Sequence, residues 1–234
     1  MVMTMDIDFK VFEKKSGYSF KDKALLRTAF THRSYINESR GGKFEHNERL
    51  EFLGDAVLEL VVTDFLYREY PAKPEGDLTM YRSALVNAIT LSEVAGNLDM
   101  NDFLLLSKGE AKDTGRARQF ILANTFEAVV GAMYLDGGYD AAKKFIDEFL
   151  LSFAEKMIAR GDLVDAKSSF QEKAQDKTGI TPSYKLMKES GPDHEKYFTI
   201  AVFLGKDQVA TGEGQSKQEA EQNAAQKAIE AKGW

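Results

Sequence analysis

The 234-residue sequence has no cysteine, which excludes disulfide frameworks, thiolate zinc sites and cysteine nucleophiles. Three histidines leave little room for imidazole metal sites, so any metal would be held by oxygen. No run of about 18 uncharged apolar residues occurs, so no membrane-spanning segment is expected. Asp6, Asp8 and Lys10 interrupt the N-terminal stretch, which therefore lacks the hydrophobic region of a secretory signal; a cytoplasmic location and no membrane partner are expected. Excess positive charge is also lacking. With 31 Lys plus Arg against 37 Asp plus Glu, the net charge of -6 argues against a nucleic-acid partner unless basic residues are concentrated locally. What is present is enough apolar content, 43% of residues, to build one large core or two ordinary ones.

Up to residue 160 the apolar spacing is helical: Ala24, Leu25, Ala29 and Phe30, then Asn47 to Tyr70, Ala84 to Leu98, Gln119 to Leu135 and Tyr139 to Ala159. Breakers separate these segments and are read as turns: Gly41-Gly42, Pro71 with Pro74 and Gly76, Gly109, Gly115, and Gly137-Gly138. An all-α domain over residues 1–160 is therefore expected. The apolar-poor stretch 161–167 reads as a linker, and a small α+β domain over 168–234 follows it. That domain would run from a helix near Ser168 to Lys177 through strands Ser183 to Glu189, Lys196 to Leu204 and Gln208 to Gly214. A closing helix, Ser216 to Ala231, completes an α-β-β-β-α order. Ser216 with Glu219 has the spacing of a capping box. The acidity belongs to the first domain: 21 basic and 27 acidic residues lie through residue 165, and 10 of each after it.

Glu48, Glu51 and Asp55 recur at i, i+3 and i+7, so they share one helix face, with Glu59 continuing the line. Glu51 and Asp55 form a like-charge pair at i+4, which costs about 0.2–0.5 kcal/mol in a solvated helix, so a positive group is expected against the stripe. In the second oddity, Glu127 is the one charged residue between Gln119 and Leu135, among the small residues Ala123, Ala128, Gly131 and Ala132 that permit close helix approach. A lone carboxylate in an apolar helix is costly unless it is paired or bound to a cation. Two readings remain open on spacing alone: an oxygen-ligand magnesium site shared by two helices, or a solvated acidic face with Glu127 bonded to Arg49, Arg82 or Arg118.

The residues His46-Asn47-Glu48-Arg49-Leu50-Glu51-Phe52-Leu53-Gly54-Asp55 closely resemble the signature of bacterial ribonuclease III, the double-stranded-RNA endonuclease. The surroundings resemble it too: Thr31-His32-Arg33-Ser34, Glu75-Gly76-Asp77-Leu78, Gly109-Glu110, and Ile121 to Ala128. From Lys167 to Glu172, at Gly191-Pro192-Asp193-His194, and from Gly212 through Lys217 to Ala225, the chain resembles a double-stranded-RNA-binding domain. The resemblance implies an endonuclease with two Mg²⁺ per active site, Mn²⁺ able to substitute, and no small-molecule cofactor. Glu51, Asp55, Asn124 and Glu127 would be the metal ligands, and Glu48, Asp55, Glu75 and Glu127 the catalytic carboxylates. It further implies a homodimer with Phe52 inserted into the partner, products with 5′-phosphate and 3′-hydroxyl ends, and processing of structured precursors such as ribosomal RNA. On periodicity alone, Phe52 reads equally as a core residue of its own chain.

Two departures bear on these implications. The family usually has Asp where this chain has Asn124; an amide can still ligate but lacks charge, so the alternative is a catalytically weakened double-stranded-RNA-binding dimer. The RNA-binding residues implied are Ser168, Gln171 and Glu172, His194 in a loop, and Lys217 with Gln218 at the start of the last helix, where a phosphate would meet the helix N-terminus. The family often has a second Lys at Gln218, so weaker and less salt-sensitive binding is expected. A metal-binding protein unrelated to RNA is the third reading, and the second domain speaks against it.

Overall fold

In the computed structural model, which describes residues 7–38, 45–153, 166–191 and 196–234, the long amphipathic segments of the sequence become paired helices. The chain divides into two units, Met1–Leu163 and Val164–Trp234. The first contains α1 (Phe9–Ser16), α2 (Lys23–Ala29), α3 (Arg33–Glu38), α4 (Glu48–Glu69), α5 (Glu75–Leu85), α6 (Ala88–Asn97), α7 (Arg116–Gly137) and α8 (Tyr139–Ile146). The helices start where short polar side chains satisfy free N–H groups. Asp8 accepts from the Lys10 N–H at 3.0 Å, Asp22 from Ala24 at 2.8 Å, and Asn87 from Thr90 at 2.9 Å. Asp136, near the end of α7, accepts the Tyr18 hydroxyl and the Lys21 and Asp22 N–H groups, each at 2.8 Å, tying α7 to the start of α2.

The centre of this unit is the contact of α4 with α7. Val57, Leu58, Val61, Val62 and Leu66 on one and Phe126, Val129, Val130 and Met133 on the other are buried in one continuous core. Each such side chain contributes about 1.5–3 kcal/mol on leaving water. The backbones touch where both helices carry glycine. A Cβ on Gly54 would stand 1.7 Å from the Glu127 carbonyl oxygen, and one on Gly131 would stand 2.2 Å from the Leu50 carbonyl oxygen. No side chain fits there.

The helix boundaries differ from expectation in places. The segment Ala84 to Leu98 is two helices, because α5 ends at Leu85 and Asn87 opens α6 with a capping bond. Gly76 lies inside α5, whose face is mostly polar and buries Tyr81 and Leu85, too sparse a pattern to read as a helix. The stretch Tyr139 to Ala159 is α-helical to Ile146 and then forms a π-helical turn, Asp147–Leu151; its last residues, like Gly41-Gly42, lie outside the described residues. The short α1 went unanticipated.

In the second unit, α9 (Ala166–Thr178) precedes the antiparallel strands β1 (Ser183–Ser190), β2 (Tyr197–Leu204) and β3 (Asp207–Gly214), in spatial order β1-β2-β3, and α10 (Lys217–Lys232) closes it. Ala166 and Lys167, read from sequence as the end of a linker, form the first turn of α9, because Ala166 is buried in the core of this unit. Met187 and Val209 fall at register shifts that bend the sheet. The core joins Ala166, Phe170 and Ala174 to Val202, Leu204 and the alanines of α10, and Phe170 stacks on Trp234 at 5.6 Å. Alanines suffice on α10 because Gly212 lets β3 approach it; a Cβ on Gly212 would meet the Ala224 nitrogen at 2.1 Å. Ser216 caps α10 as the sequence predicts, accepting from Glu219 at 3.1 Å, and the Glu219 carboxylate accepts the Gln215 N–H at 2.7 Å.

Candidate active site and RNA-binding surface

Because α4 and α7 meet at Gly54 and Gly131, the acidic stripe of α4 faces the lone carboxylate of α7. Glu127 is pushed up from 4.5 to about 8, first by burial and then by the charges of Asp55 and Glu51. Glu51 is also raised, by burial and by Glu48 and Asp55, against a lowering hydrogen bond from the Asn124 side chain. Asp55 is raised by burial and by Glu59. Glu51, Asp55, Asn124 and Glu127 are therefore one electrostatic group, assembled from residues 76 apart in sequence. None of the candidate cations neutralises it. Arg82 donates to Thr63 at 3.1 Å, Arg118 to Asn101 at 2.7 Å and to the Glu110 carbonyl at 2.6 Å, and Arg49 is exposed.

The donor set is all oxygen, as a hard divalent cation requires. Among the described residues, no three His, Asp or Glu side chains stand together as a ready-made metal site, so Glu51, Asp55 and Glu127 could serve a cation only with the Asn124 oxygen, water or substrate completing the set.

Glu48 sits at the edge of this group, in the first turn of α4, where its charge favours the helix dipole. Its two oxygens face different side chains: the Arg33 guanidinium at 3.5 Å and the His46 ring at 3.7 Å. Arg33 and His46 belong to the motifs that carry the resemblance, yet sequence spacing assigned them no role. The structure shows that they flank Glu48. Asn47 beside them is buried and fastens this corner, donating to the Ala29 carbonyl at 3.3 Å while its N–H bonds Thr31 at 2.9 Å. Glu75 stands apart. It is exposed at the start of α5, accepts the Thr79 hydroxyl at 3.0 Å, and contributes to none of the shifts at Glu51, Asp55 or Glu127.

Phe52 points away from the core and is 82% exposed. The reading of Phe52 as a core residue of its own chain is excluded. Leu60 and Tyr67 on α4 and Phe120 on α7 are exposed as well.

On the second unit, Lys167, Ser168 and Gln171 of α9 and Gln218, Glu221 and Gln222 of α10 line an open polar cleft of about 510 Å³. The N-terminal turns of both helices are thereby brought together. Lys167 is bound to Glu221 at 2.6 Å, its N–H donates to Gln222 at 3.2 Å, and its ammonium lies 5.0 Å from the Tyr184 ring centre. Glu172 and Lys217 are exposed and lie outside the cleft lining; the Lys217 ammonium stands 5.8 Å from the Phe198 ring centre. His194 lies outside the described residues.

Comparison with known proteins agrees with both units. A family profile described as Ribonuclease-III-like matches residues 22–153, and one described as Double-stranded RNA binding motif matches residues 166–232. The ribonuclease 3 of Borreliella burgdorferi is 44% identical over 94% of this chain and 89% of its own length. That of Bdellovibrio bacteriovorus is 43% identical over 95% of both, and that of Protochlamydia amoebophila 46% identical over 93% of this chain and 89% of its own. Among solved structures, the nuclease domain of ribonuclease III from Campylobacter jejuni is 39% identical with a TM-score of 0.57, covering 62% of this chain and 97% of that one; its description refers to a region involved in dimer formation. With a helical unit whose glycine-bridged helices carry the signature carboxylates, an α-β-β-β-α unit following it in sequence, and relatives alike over nearly their whole length, the chain belongs to the ribonuclease III family of endoribonucleases.

Proposed function

We propose that the chain cleaves double-stranded RNA in a divalent-metal-dependent reaction, with Mg²⁺ the natural ion and two bound per active site. It would act in the cytoplasm as a homodimer on structured precursors such as ribosomal RNA, releasing 5′-phosphate and 3′-hydroxyl ends. The observation that carries this reading is Glu127, a carboxylate raised to about 8 beside Asp55 and Glu51, with no cation among the described residues placed to neutralise it. Such a group destabilises the free protein and becomes favourable once a cation arrives, the mark of a site built for a ligand.

Glu51, Asp55 and Glu127 would hold the metal, with Asn124 offering its amide oxygen. A divalent ion there supplies a water of lowered pKa and neutralises charge developing on phosphate oxygens. Glu48, tethered between Arg33 and His46, would hold a bound water by hydrogen bonding, and Glu75 would reach the substrate only from the rim. The second unit would grip the duplex by shape, with Ser168 and Gln171 toward a minor groove and Glu172 beside them, the His194 loop toward a second groove, and Lys217 with Gln218 toward phosphates. Phe52, exposed beside the acidic stripe, would bury itself in the partner subunit.

The Asn124 amide bonded to Glu51 favours a second reading, a duplex-binding dimer with weakened chemistry. One assay separates the two: cleavage of a labelled RNA duplex across Mg²⁺ concentrations by this chain, by Asn124→Asp and by Glu127→Gln. Cleavage by this chain that rises with Mg²⁺ and vanishes in Glu127→Gln supports the nuclease. Binding without cleavage, with activity appearing in Asn124→Asp, supports the second reading.

A further inference from the structure

The second unit holds ten lysines and ten carboxylates from residue 166 on, so a duplex must find its positive charge in places where carboxylates already stand. One such place is the end of the sheet beside the start of α10. There the Lys196 ammonium lies 2.8 Å from Glu189 Oε1, with both side chains more than a third exposed. Glu189 is the cross-strand partner of Phe198, and Lys217 stands over that same Phe198 ring, at 5.8 Å from its centre. The Glu189 carboxyl is accordingly held below its ordinary range, first by the hydrogen bond from Lys196, then by the charge of Lys196, and further by Lys217. Lys196 thus pairs directly with Glu189, while Lys217, over the ring of Glu189's cross-strand partner at the start of the last helix, adds its charge from farther off, where a phosphate would also bind.

We propose that Glu189 is an internal substitute for a backbone phosphate, holding the Lys196 ammonium and drawing on the charge of nearby Lys217 in the free protein, and yielding both to the duplex on binding. The residue thereby sets affinity and salt response. The inference rests on the reading of the second unit as a duplex-RNA binder, and its chemistry is simple exchange. When a phosphate takes the lysines it releases its condensed counterion, but the freed Glu189 carboxylate collects one from solvent. The net release is smaller, so binding is weaker and less salt-dependent than the lysine content implies.

The test uses the full chain carrying Glu127→Gln to prevent cleavage, with and without Glu189→Gln, and a fluorescent RNA duplex of about 16 base pairs or more, enough to span two minor grooves. Because an exposed pair is weak, Glu189→Gln is expected to bind only about two- to fivefold more tightly at about 0.1 M salt. The slope of log affinity against log salt is expected to steepen by up to about 0.9. Lys196→Gln and Lys217→Gln are expected to cost more in the Glu189→Gln background than in its absence. Glu189→Thr, a residue suited to a strand, should reproduce the gain and guards against an effect of local unfolding. Equal or weaker binding by both Glu189 variants, with melting curves unchanged, overturns the proposal. Failure of the parent chain to bind the duplex overturns instead the RNA-binding reading on which it stands.

Discussion

Replacing Glu127 with Gln tests whether the site is built around an uncompensated carboxylate, because the free protein should become more stable when the charge is removed. In the unfolded chain the carboxyl titrates near 4.5; in the folded protein burial, Asp55 and Glu51 push it to about 8. Below 4.5 the group is neutral in both states and costs nothing. As pH rises from there the unfolded state ionises first, so stability falls progressively and the full loss is reached above about 8. At about 1.36 kcal/mol per pH unit the upper bound is close to 5 kcal/mol, and because Glu127 is partly solvent-accessible, screening reduces this to about 2 kcal/mol. The amide does not titrate and keeps nearly the same shape. In EDTA at pH 8.5, Glu127→Gln is therefore expected to melt about 4–8 °C above the parent, with the gap closing toward pH 5. Adding Mg²⁺ should raise the parent more than the variant, since only the parent has the full set of charges to offer. Thermal denaturation followed by circular dichroism at a series of pH values measures this. A variant less stable than the parent at pH 8.5 without metal would refute the reasoning, since the carboxylate would then have a stabilising partner.

Gly131→Ala places a methyl group 2.2 Å from the Leu50 carbonyl oxygen, so α4 and α7 must separate; a loss of about 1–3 kcal/mol in denaturant melts is expected, together with loss of duplex cleavage even at high Mg²⁺. Phe52→Ala removes an 82% exposed ring, so it should leave the monomer's stability nearly unchanged while shifting sedimentation toward the monomer; destabilisation with the oligomeric state unaltered would contradict its role at an interface. Asn124→Asp removes the donor bonded to Glu51 and adds a negative charge to the group, so metal-free stability should fall while calorimetric affinity for Mg²⁺ rises.

Much of this protein is legible along the chain. Heptad-like spacing sufficed for α4 and α7, period-two alternation for β2, and the Ser216–Glu219 pair for the start of α10, because these signals are local. The stripe Glu48, Glu51, Asp55 and the isolation of Glu127 also stood out, since each violates what a solvated or a buried helix tolerates. Where the apolar signal thins, reading failed: α5 has a mostly polar face, and its break from α6 depends on one capping bond at Asn87. Ala166 joined α9 through burial against distant residues, which spacing cannot register.

The sequence by itself determined the kinds of element, their order, the all-oxygen chemistry and, through extended motif likeness, the family. Only the tertiary structure decided which carboxylates act together. The close approach of Gly54 and Gly131 sets Glu127 against Glu51 and Asp55, while the packing of the other elements leaves Phe52 exposed and brings Arg33 and His46 to Glu48. Electrostatic coupling depends on distance through space, and distances between residues far apart in the chain exist only once it has folded.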